Sequence, residues 1–166
     1  VLLPPAGAAS TEHYGFIGHG TNQIAELTAA IEGLARVPAG ATVGSCLNAD
    51  MTTHFMVNFG TEEQKRQWLP GVVTGDVIQA TALTESHSGS DAASIRTSAV
   101  RDGDQYVING SKCFISNGTK ADLIYVIAKT DPQARSSGTS IFLVPAETPG
   151  LTRRLQRTMG FAGGDT

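Results

Sequence analysis

The segment Thr81-Ala82-Leu83-Thr84-Glu85-Ser86-His87-Ser88-Gly89-Ser90-Asp91 is the most polar loop that directly follows an apolar strand pattern in the sequence. It follows an apolar run and contains one glycine. Backbone N–H groups beside a glycine, together with Thr and Ser hydroxyls, can cradle an anion such as a pyrophosphate. The same residues also suit a solvated turn whose Ser and Asp side chains bond their own backbone. Both readings stand on the segment alone. Ser, His and Asp together invite a hydrolase built on Ser88 or Ser90, but the nucleophile elbow G-x-S-x-G is absent. Triad members also usually come from separate elements rather than from one loop. His13, His19, His54 and His87 lack the spacing of metal ligands, and Cys46 and Cys113 make neither a disulfide framework nor a metal cluster. No metal is expected.

The elements that must position this loop change texture near Asp76. Before it the apolar period is helical. Ile24, Leu27, Ile31 and Leu34 predict a helix over 22–37 that Pro38 stops. Val43, Leu47, Met51 and Phe55 predict a second over 41–58, ended by Gly60. Thr61-Glu62-Glu63-Gln64 reads as a capping box opening a third, short helix, anchored by Trp68 and Leu69 and stopped at Pro70-Gly71. After Asp76 short apolar runs alternate with turns. Strands are expected over 77–83, 97–101, 105–109, 111–116, 123–129, 139–144 and 151–157. Asp102-Gly103-Asp104 and Asn109-Gly110 read as hairpin turns, and Asn117-Gly118 as a further turn. Helices followed by strands predict an α+β chain, with N-terminal helices and then an antiparallel β-barrel or orthogonal sandwich. The expected division is 1–76 helical and 77–166 barrel.

Composition bounds the partners. The 166 residues are 40% hydrophobic and 16% charged, enough apolar material for a core. The net charge of −3, without a basic run, leaves no electrostatic footprint for nucleic acid. No apolar run approaches the roughly 18 residues of a membrane span. The start carries no signal-peptide pattern, and a reducing, cytoplasmic setting is the default expectation.

Several motifs, in order, resemble the acyl-CoA dehydrogenase family. Phe59-Gly60-Thr61-Glu62-Glu63-Gln64-Lys65 with Trp68-Leu69-Pro70 resembles the segment leading into that family's middle domain. Ala82-Leu83-Thr84-Glu85 through Gly89-Ser90-Asp91 resembles its A-x-T-E-P-x-A-G-S-D signature, with Ser86 in place of Pro and Ser88 in place of Ala. Asn109-Gly110-Ser111-Lys112 and Phe114-Ile115-Ser116-Asn117 resemble its N-G-x-K-x-[WF]-I-[TS]-N segment. The resemblance runs from about Ile24 to Thr166.

The resemblance implies FAD as cofactor, an acyl-CoA thioester as substrate and α,β-dehydrogenation to a trans-2-enoyl-CoA. It also implies an electron-transfer flavoprotein or similar acceptor, and a homo-oligomer at full length. Leu83, Thr84 and neighbouring Thr81 would meet the polar edge of the flavin ring, and Gly89 and Ser90 the pyrophosphate, with Ser90 also near substrate. Phe114 and Ile115 would lie at the ring and Ser116 near its N5. Strand alternation would put Phe114 and Ser116 on one face. Glu85 and Asp91 are structural candidates only. The catalytic carboxylate and the C-terminal helical domain are expected beyond Thr166. Alternatives are a flavin monooxygenase or nitroalkane-oxidase relative, and a non-catalytic β-barrel binding module. By this reading the 166-residue chain alone turns over no acyl-CoA and binds FAD weakly or not at all, which an anaerobic assay of the isolated chain checks.

Overall fold

In the computed structural model, residues 51–157 are described. The expected helix over 22–37 lies outside them, as does the first part of the expected helix over 41–58. Helix α1 (Thr53–Phe59) is the described end of the latter. Gly60 closes it, donating its N–H to the Met56 carbonyl at 2.9 Å. A Cβ at Gly60 would lie 2.6 Å from that same oxygen, so only glycine fits. The core-facing residue is Met56, which is buried, whereas Met51 is exposed.

Helix α2 (Glu62–Thr74) starts as the sequence predicts. Thr61 Oγ1 accepts from the Gln64 N–H at 3.2 Å, and Gln64 Oε1 accepts from the Thr61 N–H at 2.9 Å. Its end differs from the expectation. The helix runs through Pro70 to Thr74 and stops at Gly75, which is left-handed at φ +83°. Pro70 lacks one ladder N–H, but the next turn is retained because Val72 is buried there. The Val77 N–H then closes back on the Gly71 carbonyl at 2.9 Å.

Five strands follow: β1 (Gln79–Ala82), β2 (Ser98–Asp102), β3 (Gln105–Asn109), β4 (Leu123–Lys129) and β5 (Thr139–Pro145). β4 organises them. One of its edges is taken along its full length by antiparallel β5, from Leu123↔Pro145 to Lys129↔Thr139. The other edge is shared end to end. Parallel β1 pairs with Leu123 to Val126, and parallel β2 meets it at Ser98↔Lys129. β2 and β3 form the expected hairpin, with Gly103 at φ +59° in its turn.

The antiparallel barrel expected from the sequence is therefore corrected. Among the described residues the sheet is mixed and open, in the order β1-β4-β2-β3 with β5 on β4. The chain leaves β1, makes a hairpin and returns to run beside β1 in the same direction, which turn counting alone does not reveal.

Two further expectations fail. Residues 111–116 form no strand, because the segment folds back onto the end of β1 instead of pairing. Asn109-Gly110 is accordingly not a hairpin turn, and the alternation that would put Phe114 and Ser116 on one face does not apply. Residues 151–157 also form no strand. Leu151 packs against the core, and Arg153 donates to the Ala121 carbonyl at 2.7 Å.

β4 is buried on both faces. Ile124 and Val126 pack with Ala80, Ala82 and Ala121, flanked by Ile108, Ile115, Phe142, Val144 and Leu151. Leu123 and Tyr125 pack on the other face with Met56, beneath Phe55, Trp68 and Leu69 of the two helices. The helical face also holds a buried polar knot. Gln79, fully buried, accepts from the Tyr125 hydroxyl at 2.6 Å and donates to Thr53 Oγ1 at 2.9 Å. Burial pushes the Tyr125 hydroxyl up to about 12, so it remains a donor at any physiological pH. Tyr125→Phe would leave the Gln79 oxygen buried without that donor. The expected loss is about 1–3 kcal/mol by urea unfolding, with an unchanged m-value.

Candidate functional site

The site is built where β1 and β2 meet on the edge of β4. The chain leaves the sheet after Ala82 and re-enters at Ser98, and the excursion is tied at its base by Glu85. This side chain is 3% exposed. Its carboxylate accepts from the Arg96 N–H at 2.7 Å, the Thr97 N–H at 2.9 Å and the Thr97 hydroxyl at 2.5 Å. Lys112 Nζ lies 2.8 Å away, and His87 Nε2 lies 3.3 Å from the second oxygen. Burial disfavours the charged form. The Lys112 ammonium, the Thr97 hydroxyl and the two backbone N–H groups outweigh it and lower the Glu85 carboxyl from 4.5 to about 2.

Lys112 extends the lock to a third segment. Its ammonium also donates to the Leu83 carbonyl at 2.9 Å, and the next residue, Cys113, donates its N–H to the Thr84 carbonyl at 3.0 Å. Segments 83–85, 96–97 and 112–113 thus share one polar centre. Gly110 permits the approach, since a Cβ there would lie 2.3 Å from Thr97 Oγ1 and 2.7 Å from the Thr97 Cα.

With both carbonyls engaged internally, Leu83 and Thr84 offer donors. The Leu123 N–H bonds the Ile78 carbonyl, and parallel alternation from that point uses the N–H groups of Ala80 and Ala82 but not that of Leu83. The N–H groups of Leu83 and Thr84 and the hydroxyls of Thr84 and Ser116 have no protein partner among the described residues.

Lys112 and Cys113 lead into Phe114, which is 57% exposed and has φ +56°. A bulky residue rarely adopts this left-handed backbone, and such strain concentrates at ligand sites. The Phe114 N–H donates to Gln156 Oε1 at 3.3 Å, and the Asn117-Gly118 turn follows, with Asn117 at φ +62°. An exposed aromatic residue on the segment that Cys113 ties to Thr84, with donors left untaken on both segments, suits a flat heteroaromatic ring rich in acceptors.

The remaining expected site residues divide. The Thr81 hydroxyl faces the helical side, 3.2 Å from Thr52 Oγ1, and is set apart from the donors at 83–84. Ile115 packs into the core rather than onto the exposed surface. The loop over 86–91 is largely the self-bonded turn. Glu85 and Ser88 exchange backbone bonds at 2.9 and 3.1 Å, the buried Ser88 hydroxyl donates to the Asp91 carbonyl at 2.7 Å, and Asp91 accepts from Ser94. Ser88 and His87 bond elsewhere and form no nucleophilic pair. Gly89 and Ser90 are exposed just beyond this turn. No heavy atom lies within 4 Å of a Gly89 Cβ, so neither packing nor a positive φ accounts for glycine there. The surface above the backbone is open to a bulky anion.

Sequence reasoning missed Lys112 as the centre of the lock, and Thr97 altogether. The available signal was a lysine set among the apolar residues Cys113, Phe114 and Ile115, combined with a glutamate directly after a buried strand.

Because folding lowers the Glu85 carboxyl, its contribution is complete above about pH 4.5 and fades as pH falls toward 2. That drop corresponds to about 3 kcal/mol. Urea unfolding of the unmodified protein should lose about that much stability across this window, and Glu85→Gln should lack this component of the loss.

Known proteins resemble the chain in both sequence and fold. Residues 6–76 match the family model described as acyl-CoA dehydrogenase, N-terminal domain, and residues 80–166 match acyl-CoA dehydrogenase, middle domain. An acyl-CoA dehydrogenase of Bacillus subtilis is 38% identical over 161 residues, covering 96% of this chain and 42% of that protein. The crystal structure of acyl-CoA dehydrogenase from Geobacillus kaustophilus superposes with a TM-score of 0.76 at 47% identity, over 81% of this chain and 36% of that one. A glutaryl-CoA dehydrogenase from Mycobacterium smegmatis in complex with FADH2 superposes with a TM-score of 0.72 at 37% identity, over 83% and 34%. The chain therefore spans less than half the length of each of these relatives.

Proposed function

Because this chain belongs to the acyl-CoA dehydrogenase family, we propose that it supplies the flavin-facing part of an FAD-dependent enzyme that desaturates an acyl-CoA thioester between its α and β carbons. The observation that carries this reading is the set of donors at Leu83, Thr84 and Ser116 that no protein group takes up among the described residues, on the same segments as the strained, exposed Phe114. Each of these features suits a flavin ring, whose edge is rich in acceptors and whose faces are apolar.

The residues take separate roles. The Leu83 and Thr84 N–H groups and the Thr84 hydroxyl would hold the polar edge of the ring, and the Ser116 hydroxyl would add a donor. Phe114 would cover a face and exclude water. Gly89 and Ser90, open beyond their turn, would receive the pyrophosphate, with Ser90 also near substrate. Ile115 supports this surface from the core, and Thr81 supports it through the helical side. The bound flavin supplies a hydride acceptor, and the protein supplies position and electrostatics. In the desaturation proposed, that acceptor would take hydride from the β carbon and a carboxylate base would take the α proton, leaving the C=C bond. Among the described residues the most deeply buried carboxylate, Glu85, is already bonded to three donor residues and is not offered as that base.

The division at Asp76 belongs to the same proposal. Helices precede it and strands follow it, with the two family models abutting nearby. The proposal extends to a flavoprotein electron acceptor and to a homo-oligomeric assembly. No helix among the described residues is long and apolar enough to cross a membrane.

The test is the visible spectrum of the protein expressed from its full reading frame, recorded anaerobically before and after addition of acyl-CoAs of graded length. A flavin band that bleaches with one of them is the expected result. A bound flavin that no acyl-CoA reduces would favour an oxygenase-like relative, and a protein that takes up no FAD would favour a binding module.

A further inference from the structure

Lys112 does more than neutralise Glu85. Its ammonium donates to two acceptors, the Glu85 carboxylate at 2.8 Å and the Leu83 carbonyl at 2.9 Å. The second is unusual in its consequence, because the Leu83 carbonyl and the Thr84 N–H belong to one peptide unit. That unit is planar and conjugated. A cation on its oxygen draws electron density from nitrogen to oxygen and makes the N–H a stronger donor. Hydrogen bonds in series polarise one another in this way, most strongly where a charged group begins the chain and water is excluded. Lys112 is 10% exposed, so little solvent screens it. The Thr84 N–H at the far end of the peptide unit has no protein partner among the described residues, and in a trans peptide it points away from the carbonyl that Lys112 holds.

We propose that Lys112 is a positioning residue that polarises the Leu83–Thr84 peptide, so that the Thr84 N–H binds an acceptor most strongly when that acceptor gains negative charge. Glu85 completes the device by holding the ammonium in place, and the Thr84 carbonyl is kept out of the site by the Cys113 N–H. The inference rests on the flavin reading. It adds to that reading a preference of the site for reduced over oxidised flavin, exerted by a residue that does not touch the ring. A role confined to charge neutralisation would leave that preference unchanged.

The experiment compares the protein expressed from its full reading frame with its Lys112→Met, Lys112→Arg and Glu85→Gln/Lys112→Met variants. The double variant removes both charges together and leaves no buried carboxylate unpaired. The first reading is the Thr84 amide proton shift in flavin-free protein, which should move upfield in Lys112→Met and recover in Lys112→Arg. The second is the midpoint potential of bound FAD. The preference for the reduced form should fall about tenfold in Lys112→Met and in the double variant, a shift of about 30 mV for a two-electron couple, and should be retained in Lys112→Arg. A folded Lys112→Met or double variant that binds FAD with an unchanged potential and an unchanged Thr84 shift would overturn the proposal. Should none of the three variants fold, the isotope-edited carbonyl stretch of Leu83 in the unmodified protein decides. A band at low frequency supports a charge-assisted bond, and a band at the position of an unbonded carbonyl overturns it. If the unmodified protein takes up no FAD, the flavin reading fails by itself, while the amide shift still decides whether Lys112 polarises the peptide.

Discussion

A buried carboxylate is costly unless each of its lone pairs finds a donor, and the loops at the edge of this sheet are arranged around satisfying one. Glu85 follows directly after β1, where the chain leaves the sheet. Its oxygens take two backbone N–H groups and a hydroxyl from the point where the chain returns, and an ammonium from a segment 27 residues further on. Removing any one partner leaves charge stranded in a poorly hydrated place. The lock therefore fixes three loops to one another, although none of them pairs as a strand at that point.

What the lock fixes is a surface of donors. Lys112 and Cys113 take up the carbonyls of Leu83 and Thr84, and the same two residues lead the chain into the strained turn at Phe114. The edge-sharing topology sets the location. β1 and β2 occupy successive parts of one edge of β4, so a loop must bridge the interval between them. The helices contribute from behind. Met56, Trp68 and Leu69 close the opposite face of β4, and the bonded set of Gln79, Tyr125 and Thr53 keeps β1 in register against α1.

Much of this was legible in the residues. The capping box at Thr61 and the hairpin at Gly103 follow from local rules, and both form where the sequence places them. The apolar run of β4 announced a strand, and the structure buries it on both faces. Three features were not legible, each for a physical reason. Residues 111–116 alternate like a strand, but a tertiary ion pair between Lys112 and Glu85 overrides the pattern. Pro70 marks a helix stop by its missing N–H, but burial of Val72 carries the helix one turn further. The mixed sheet depends on which edge of β4 each strand reaches, and no local signal encodes that choice. For the site itself, the order of the motifs identified the loop and the aromatic residue. Lys112 was visible only as a letter in a motif, because its role depends on a partner 27 positions away.

The account makes Thr84 the point at which fold becomes function. The most direct test is a crystal structure of the FAD-bound protein, read for the distance from the Thr84 nitrogen to the nearest acceptor atom of the flavin ring. A separation of about 2.7–3.2 Å, with the Phe114 ring packed on a flavin face, is the predicted result. A flavin seated away from Thr84, or a Leu83 carbonyl released from Lys112 when the ring is bound, would contradict it.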